Sequence, residues 1–485
     1  METPQETPRA SFYTHQRQDG EYSEALKMRR ERMAEMQESM SSIRVSRTVV
    51  VTFAIVMITL CSGGLILGWG PVYSLLVRDN QWREKCTPED LLDTKALTCP
   101  GQEVRLQYVY STAFLCLSIG MAFFGLFLDF AGPRLNILVG LTVLALGNLL
   151  FALGESTTAN GAAIVAGYSL IAIGGYSIYT SSFQFIQLFE KQGLVCSFVS
   201  GFFNASGYIY MLLKIDSVDR KPFFLAYTVL VVVCLIMSYF VYPLHSNTKP
   251  ATHVMLSGFR WRTPIFVKPV GILPKVIEQF KRPDLWFFGI FFGWISTIFA
   301  FVGGAVPKLI YNFDNGDAKT AANYVDYAFP ILLNSAVIFT PIVGYAIDKW
   351  GFRPVILGTL INVHLFLGSM MIHSMKMQIV SLLLLAIAQA SFYSLQFAYI
   401  VMNFPSEVYG CLQAFLAVCS FSMSMLNYAF TPWVQHHLDN NYTPVFLIMA
   451  GPVLIMYFFV GIAKTGFEKQ ETKPVGTPEV RLEKL

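Results

Sequence analysis

Apolar residues fall in twelve long runs separated by polar stretches. They cover roughly 48–77, 107–128, 135–154, 160–188, 194–213, 222–243, 285–311, 324–346, 354–374, 378–402, 408–434 and 443–463. A helix of about 20 apolar residues crosses a bilayer, so each run predicts one membrane-spanning helix, and the longer ones permit tilt. The polar stretch 244–284 divides the runs six and six. Within it, 272–280 reads as a short helix along the membrane surface, and a plain tether reads equally well. Residues 1–46 hold no apolar run. Tyr22, Leu26, Met33, Met36, Met40 and Ile43 recur there at roughly helical spacing beside Lys27, Arg29, Arg30 and Arg32. That suits a helix on an anionic membrane surface, but a solvated tail is the reading taken here. No short apolar run with a cleavage site precedes the first helix, so that helix also targets the chain. The expected organisation is a tail (1–46), a six-helix bundle (47–243), a linker (244–284), a second bundle (285–464) and a tail (465–485).

Composition sharpens this. Apolar residues make up 54% and charged residues 14%, against about 25% charged in soluble domains. The chain therefore reads as an all-α, multi-pass integral membrane protein, with lipid around it and no nucleic-acid partner at a net charge of +4. Of 35 Lys and Arg, 24 lie on the side of the first tail. Basic residues concentrate on the cytoplasmic side, which places both termini in the cytoplasm and suits a plasma-membrane protein, read as a monomer. Six of eight cysteines fall inside the runs and read as small apolar residues. Cys86 and Cys99 share the first loop on the oxidising side, which predicts a disulfide between them. Asn441-Tyr-Thr443 is a formal sequon, but it abuts the last run and Pro444 follows it, so it is discounted. No run presents a metal-ligand pair or a nucleophile with its base. No enzyme activity, metal or cofactor is expected.

The two halves echo each other. Gly125-Leu-Phe-Leu-Asp129-Phe-Ala-Gly132-Pro-Arg134 ends the second run, and Gly344-Tyr-Ala-Ile-Asp348-Lys-Trp-Gly351-Phe-Arg353 ends the eighth, 219 residues later at identical spacing. Glu190-Lys-Gln-Gly193 and Glu407-Val-Tyr-Gly410 repeat 217 residues apart, as do Tyr176 and Tyr393. Gly63-Gly64 matches Gly303-Gly304. Such repeats mark transporters built from duplicated halves. An acid at a helix end can face the positive N-terminus of a helix in the other half, and Arg134 or Arg353 can pair with Glu190 or Glu407. Asp129, Arg134, Glu190, Asp348, Arg353 and Glu407 are thus expected to latch an inner gate. The plainer alternative is that they anchor short loops.

The doubled motif resembles the signature of the major facilitator superfamily. SGGLILGWGPVYSLL (62–76), with Trp82 and Cys86, LDFAGPR (128–134), Gly174-Gly175 and Asn403-Phe-Pro-Ser-Glu-Val-Tyr-Gly410 narrow the resemblance. They are similar to the facilitative L-type, large neutral amino-acid transporters of that superfamily and their protist and fungal relatives. The resemblance covers nearly all of 47–463. It implies twelve transmembrane helices in two pseudo-symmetric six-helix bundles, the major facilitator fold. It also implies neutral and aromatic amino acids as substrates, with cationic amino acids or nucleobases carried by some relatives.

Stretch 62–71 holds four glycines and a proline, a poor recipe for a rigid helix. Freed backbone groups in a membrane are tolerated where protein or a wet cavity covers them. The stretch is read as a loosened part of helix 1 beside a central cavity; close helix packing is the alternative. Within the runs, Lys308 and Asp326 are the clear charges, both near run ends, and no charge falls at the midplane. Embedded charges mark ion coupling, so uniport by alternating access is expected. His364 and His373 read as packed or interfacial residues. The expected substrate-binding residues are Ser62, Gly63, Gly64 and Trp69 (helix 1), Tyr176 and Tyr179 (helix 4), Asn204 (helix 5), Trp294 (helix 7), Asn334 (helix 8), and Tyr393 and Gln396 (helix 10). The rivals are a carrier of nucleobases or other small neutral solutes, or of cationic amino acids, and a non-transporting receptor, against which the matched latches argue.

Overall fold

The computed structural model describes residues 42–88, 98–189, 192–215, 218–243, 253–257, 272–313, 318–405 and 408–464. The first tail to residue 41, Glu190, Glu407 and the last tail lie outside them, and with them the expected amphipathic pattern of the tail. In chain order the elements are β1 (Ser42–Ser46), α1 (Arg47–Cys61), a 3-10 turn (Gly63–Leu67) and α2 (Trp69–Arg78). Then come α3 (Pro100–Leu128), α4 (Ala131–Leu153), α5 (Ala162–Ser182), α6 (Gln192–Ala205) with its 3-10 extension Ser206–Lys214, and α7 (Arg220–Val241). The second half holds β2 (His253–Ser257), α8 (Ile272–Phe280), α9 (Pro283–Asn312), α10 (Lys319–Trp350), α11 (Phe352–Met370), α12 (Met375–Asn403), α13 (Tyr409–His437) and α14 (Thr443–Phe459).

Eleven helices among the described residues are long and apolar enough to cross a membrane. The twelfth crossing is the interrupted pass α1–α2. It is split into two shorter helices because Ser62 is extended (φ −79°, ψ 163°) and ends α1 there. Two short antiparallel strands depart from an otherwise all-helical chain. Ser42 pairs with Ser257 and Ser46 with His253, so the segment before α1 is stitched to the stretch between the halves. α8 occupies the segment read as a surface helix.

The doubled motif has a backbone purpose. Gly132 (φ 76°) and Gly351 (φ 81°) occupy the left-handed side of the map at equivalent turns, α3 to α4 and α10 to α11. A side chain is strained there. The arginines two residues on are also equivalent. Arg134 Nε donates to the carbonyl of Tyr242 (2.8 Å), just past α7, and Arg353 Nε to that of Ala463 (2.5 Å), just past α14. Each ties the third helix of its half to the last. These described partners are carbonyls of the same half; Glu190 and Glu407, the acids the sequence suggested, lie outside the described residues.

α9 and α12 are buried along most of their length, whereas α7 and α14 keep large apolar faces such as Val229, Leu454 and Phe458 open to the lipid side. Two seams join the halves. α3 meets α13 through Ser118 and Ser420 (2.8 Å) and through Thr112 and Tyr428 (2.7 Å). α6 packs on α10 along its length. The face bearing the strands is called the tail face below, and the opposite one the disulfide face, because Cys86 and Cys99 are bonded there as expected.

Candidate functional site

The interruption at Ser62 builds a closed polar relay. The Gly64 N–H donates to Ser62 Oγ (3.3 Å), Ser62 Oγ to Ser206 Oγ (3.1 Å), and Ser206 Oγ to the carbonyl of Phe203 (2.7 Å). The Leu65 N–H takes the Ser62 carbonyl and the Gly68 N–H that of Leu65. The break therefore engages the N–H groups of Ser62, Gly64, Leu65 and Gly68 within the first half. Its glycines serve close approach within the first half: a Cβ on Gly64 would lie 1.8 Å from the Phe203 carbonyl oxygen, and one on Gly63 2.6 Å from Leu117.

The halves meet at a buried polar cluster. Gln396 of α12 donates through Nε2 to the Tyr176 hydroxyl of α5 (2.8 Å) and lies 3.3 Å from Met121 Sδ of α3 and 3.5 Å from Gln413 Oε1 of α13. Tyr393, one turn before Gln396, packs on Phe203 of α6 (centroids 5.1 Å). Phe203 packs in turn on Tyr179 (4.6 Å), which meets Tyr176 (5.8 Å). Tyr176, Tyr179, Phe203, Tyr393, Gln396 and Gln413 are all buried. Several groups here have no hydrogen-bond partner: the Tyr393 hydroxyl, Gln413 Nε2, Asn204 Oδ1 and Asn334 Oδ1. An unpaired buried polar group costs about 1–3 kcal/mol, and such groups in a membrane core mark function.

Expected residues divide on this map. Tyr176, Tyr179, Tyr393 and Gln396 come together. Ser62, Gly63 and Gly64 lie behind Phe203, engaged within their own half. Asn204 and Asn334 lie near the seam of α6 and α10, where Asn334 crowds Gly207. Trp69 sits towards the disulfide face among Tyr73, Tyr110 and Tyr168. Trp294 does not join the cluster, because its indole N–H donates to the Met449 carbonyl of α14 (2.9 Å) on the periphery. Gln413, Met121 and Phe203 are additions. No motif flags them, and a lone glutamine in an apolar run gives no signal until its neighbours are known.

Both approaches to the cluster are shut. Towards the tail face, Phe183 and Phe397 stack across the halves (4.0 Å) and Tyr179 meets Phe397 edge-on (4.8 Å). Beyond them Asp348 Oδ2 accepts the Leu194 N–H of α6 (3.1 Å), an acid of one half at a helix N-terminus of the other. The side chain of Asp129 lies outside the described residues. Towards the disulfide face, Lys214 Nζ lies 2.5 Å from Asp326 Oδ2, and Ser74 Oγ bonds Asp326 Oδ1. Lys308 Nζ bonds the carbonyl and hydroxyl of Thr98 (3.1 and 3.3 Å).

Glu103, like Arg220 and Asp284, is a buried charge inside a pass that the apolar runs leave out. α3 starts at Pro100, seven residues before the apolar run, with proline at its first position. Glu103 therefore lies inside a pass and is buried, accepting bonds from Tyr73 (2.7 Å), Thr98 (3.0 Å) and Gln107 (3.0 Å). The embedded charges are not limited to Lys308 and Asp326, although Glu103 too is near a pass end. His364 is a packed residue as expected, its Nδ1 3.1 Å from the Leu360 carbonyl and 3.2 Å from the Tyr457 hydroxyl. Among the described residues no cluster of three His, Cys, Asp or Glu could hold a metal.

Comparison with known proteins follows the same lines. Residues 303–482 match the family model of the Major Facilitator Superfamily. A 222-residue stretch is 25% identical to Protein FMP42 of Saccharomyces cerevisiae, covering 44% of this chain and 43% of that protein. A 106-residue stretch is 31% identical to the aromatic and large neutral amino acid transporter 5-3 of Toxoplasma gondii, covering 21% of each. The matches thus span less than half the length of these curated relatives. Among solved structures, a mutant of the nucleoside transporter NupG aligns with 85% of this chain and all of its own (TM-score 0.55, 13% identity). The proton:xylose symporter XylE aligns with 87% of this chain and 98% of its own (TM-score 0.57, 13% identity). The chain has the major facilitator fold.

Proposed function

We propose that the chain is a membrane transporter that carries neutral amino acids, large and aromatic ones among them, down their gradient by alternating access of its two halves. The observation that carries the reading is the buried bond between Gln396 and Tyr176. It joins the halves at their centre and lies between two closures of different chemistry, an aromatic plug and an ion pair. Parting either closure opens the same cluster to one face only. Supporting the substrate class are the 31% identity to an aromatic and large neutral amino acid transporter over 106 residues, the aromatic walls Tyr179, Phe203 and Tyr393, and the placing of embedded charges at pass ends. A zwitterion needs hydrogen bonds at both ends to offset lost hydration, and neutral donors and acceptors supply them without a coupling ion. The basic residues gathered on the tail side support cytoplasmic termini, and the proposed membrane is the plasma membrane.

The test is uptake of labelled leucine and phenylalanine into proteoliposomes holding the purified chain, with xylose, adenine and adenosine as competitors and sodium and pH varied separately. Amino-acid flux that needs no ion gradient and resists these competitors is expected. Flux of xylose or adenosine without amino-acid flux would overturn the substrate class.

A further inference from the structure

Resting on that reading, we propose that the substrate's carboxylate is received by Gln413 and Tyr393 of the second half together with Tyr176 of the first, and not by the backbone of the interrupted pass. The argument is a count of hydrogen-bonding groups. Of the N–H groups at the break, those of Gly64, Leu65 and Gly68 are engaged, and the Gly63 nitrogen is packed against Gly175, where an added Cβ would lie 2.2 Å from it. Both of its glycines are pressed against their own half, with no room beside them for a ligand.

The Gln396 cluster is the reverse. Gln413 turns Oε1 towards Gln396 Nε2 (3.5 Å), and its own Nε2 is buried and without a partner among the described residues. The Tyr393 hydroxyl is buried and unpartnered. The Tyr176 hydroxyl accepts from Gln396, so its own hydrogen remains to be donated. Donors exceed acceptors here, and the described charges of the passes lie towards the two faces. A carboxylate, which only accepts, satisfies such a set. It replaces the direct bond between Gln396 and Tyr176, so that the substrate itself bridges the halves.

The opposite imbalance lies on the far side of Phe203. Asn204 donates through Nδ2 to the Ser200 carbonyl (3.4 Å) and Asn334 through Nδ2 to the Pro330 carbonyl (2.7 Å). Both are left with buried, unpartnered Oδ1 acceptors.

The experiment compares phenylalanine with phenylalaninamide as competitors of labelled phenylalanine uptake in proteoliposomes, for the wild type, Tyr393→Phe and Gln413→Leu. Tyr393→Phe removes only an unpaired hydroxyl, so a purely structural role predicts unchanged or higher thermal stability and unchanged transport. The proposal expects the wild type to prefer the acid over the amide by about tenfold or more, as for a hydrogen bond to a charged group. Both variants should lose most of that preference while melting within a few degrees of the wild type. If Gln413→Leu fails to fold, Tyr393→Phe alone decides. A wild-type acid-to-amide ratio in Tyr393→Phe would overturn the inference while leaving amino-acid transport standing. Absence of amino-acid uptake by the wild type would instead overturn the functional reading, and this inference with it.

Discussion

Lys214 and Asp326 join the two halves at the disulfide face, ammonium to carboxylate at 2.5 Å, both largely buried. On the tail face the described contacts of the closure are of another kind. Asp348 accepts a backbone N–H at the start of α6 instead, and the Phe183–Phe397 stack lies above it. The two ends of one pathway are thus shut by different chemistry, and each can be weakened alone.

Lys214→Gln and Asp326→Asn should each loosen the disulfide face. A partly buried pair lies between the exposed and buried cases, so a loss of about 1–3 kcal/mol is expected. About 1.4 kcal/mol moves an equilibrium tenfold. The readout is labelling of Phe329→Cys, placed where Phe329 packs beside Gly70, by an impermeant thiol reagent from that side. Faster labelling in both single variants and recovery in the charge swap Lys214→Asp with Asp326→Lys are expected. Equal labelling in all variants would show that the pair closes nothing.

Asp348→Asn should loosen the opposite end. An acid at a helix N-terminus contributes about 0.3–1 kcal/mol, up to about 2 when partly buried. Amide exchange at the start of α6, around Leu194, should quicken and uptake should slow, with unchanged amounts of folded protein. Unchanged exchange would reduce Asp348 to a loop anchor.

Much of this was legible in the sequence. Twelve apolar runs are twelve crossings because lipid forces every backbone group to be satisfied within its own helix. The repeated Asp-x-x-Gly-x-Arg showed where equivalent turns fall, because Gly132 and Gly351 must take a positive φ. Ser62 was legible as a break, but not the direction its glycines face. Close packing and an open cavity ask for the same small residue, and only the position of the Phe203 carbonyl separates them. Gln413 was not legible, since its meaning rests on Gln396 lying beside it. Glu103 was misread because apolar content marks the lipid-facing extent of a helix and not its length, and α3 runs on past the apolar run into a packed corner of the protein. Gly64→Leu does not separate the two readings, because a side chain there collides with the Phe203 carbonyl in either case.

Reduction of the Cys86–Cys99 disulfide should loosen the same face as loss of Lys214. The bond closes a short loop with a sequence separation of 13, worth about 3 kcal/mol in the chain-entropy account. Cys99 also caps α3 through the Gln102 N–H (3.4 Å), and its neighbour Thr98 holds Lys308. Intact mass with alkylation should report two thiols released by reduction. The melting temperature should fall, and Cys86→Ser with Cys99→Ser should reproduce the fall. An oxidised protein that melts no higher than the reduced one would remove the bond from the closure.

Outside the passes, Glu155 predicts a mild acid sensitivity. Burial pushes its carboxyl up, but the Gln81 amide, Lys221 and Arg220 outweigh burial and hold it below its ordinary 4.5. With the folded value depressed, its contribution is present above about 4.5 and is lost as pH falls through the lower folded value. Glu155 is partly exposed, so the effect is about 0–1 kcal/mol after screening. Melting against pH should show a shallower acid limb for Glu155→Gln than for the wild type. An identical limb would show that these contacts contribute nothing.

Glu103 provides the sharpest test of uncoupled transport. A buried acid within a pass is where proton coupling would reside, and the sequence reading named Asp326 but not Glu103. Its surroundings argue for a fixed brace. Three donors, Tyr73, Thr98 and Gln107, aim at its two oxygens. Gln107 reaches on to Tyr442 of the second half (3.2 Å), and Thr98 to Lys308. The carboxylate thus organises contacts across the closed face and has no described path to the Gln396 cluster. Glu103→Gln keeps the shape but turns one acceptor into a donor facing donors. The expected cost is about 1–3 kcal/mol, read as a lower melting temperature and slower uptake, because the disulfide-face closure forms less readily. Imposed pH gradients should leave the direction of net amino-acid flux unchanged in both wild type and variant. If a gradient drives accumulation in the wild type and Glu103→Gln abolishes it, Glu103 carries the proton, and both the brace and the uniport reading fall together.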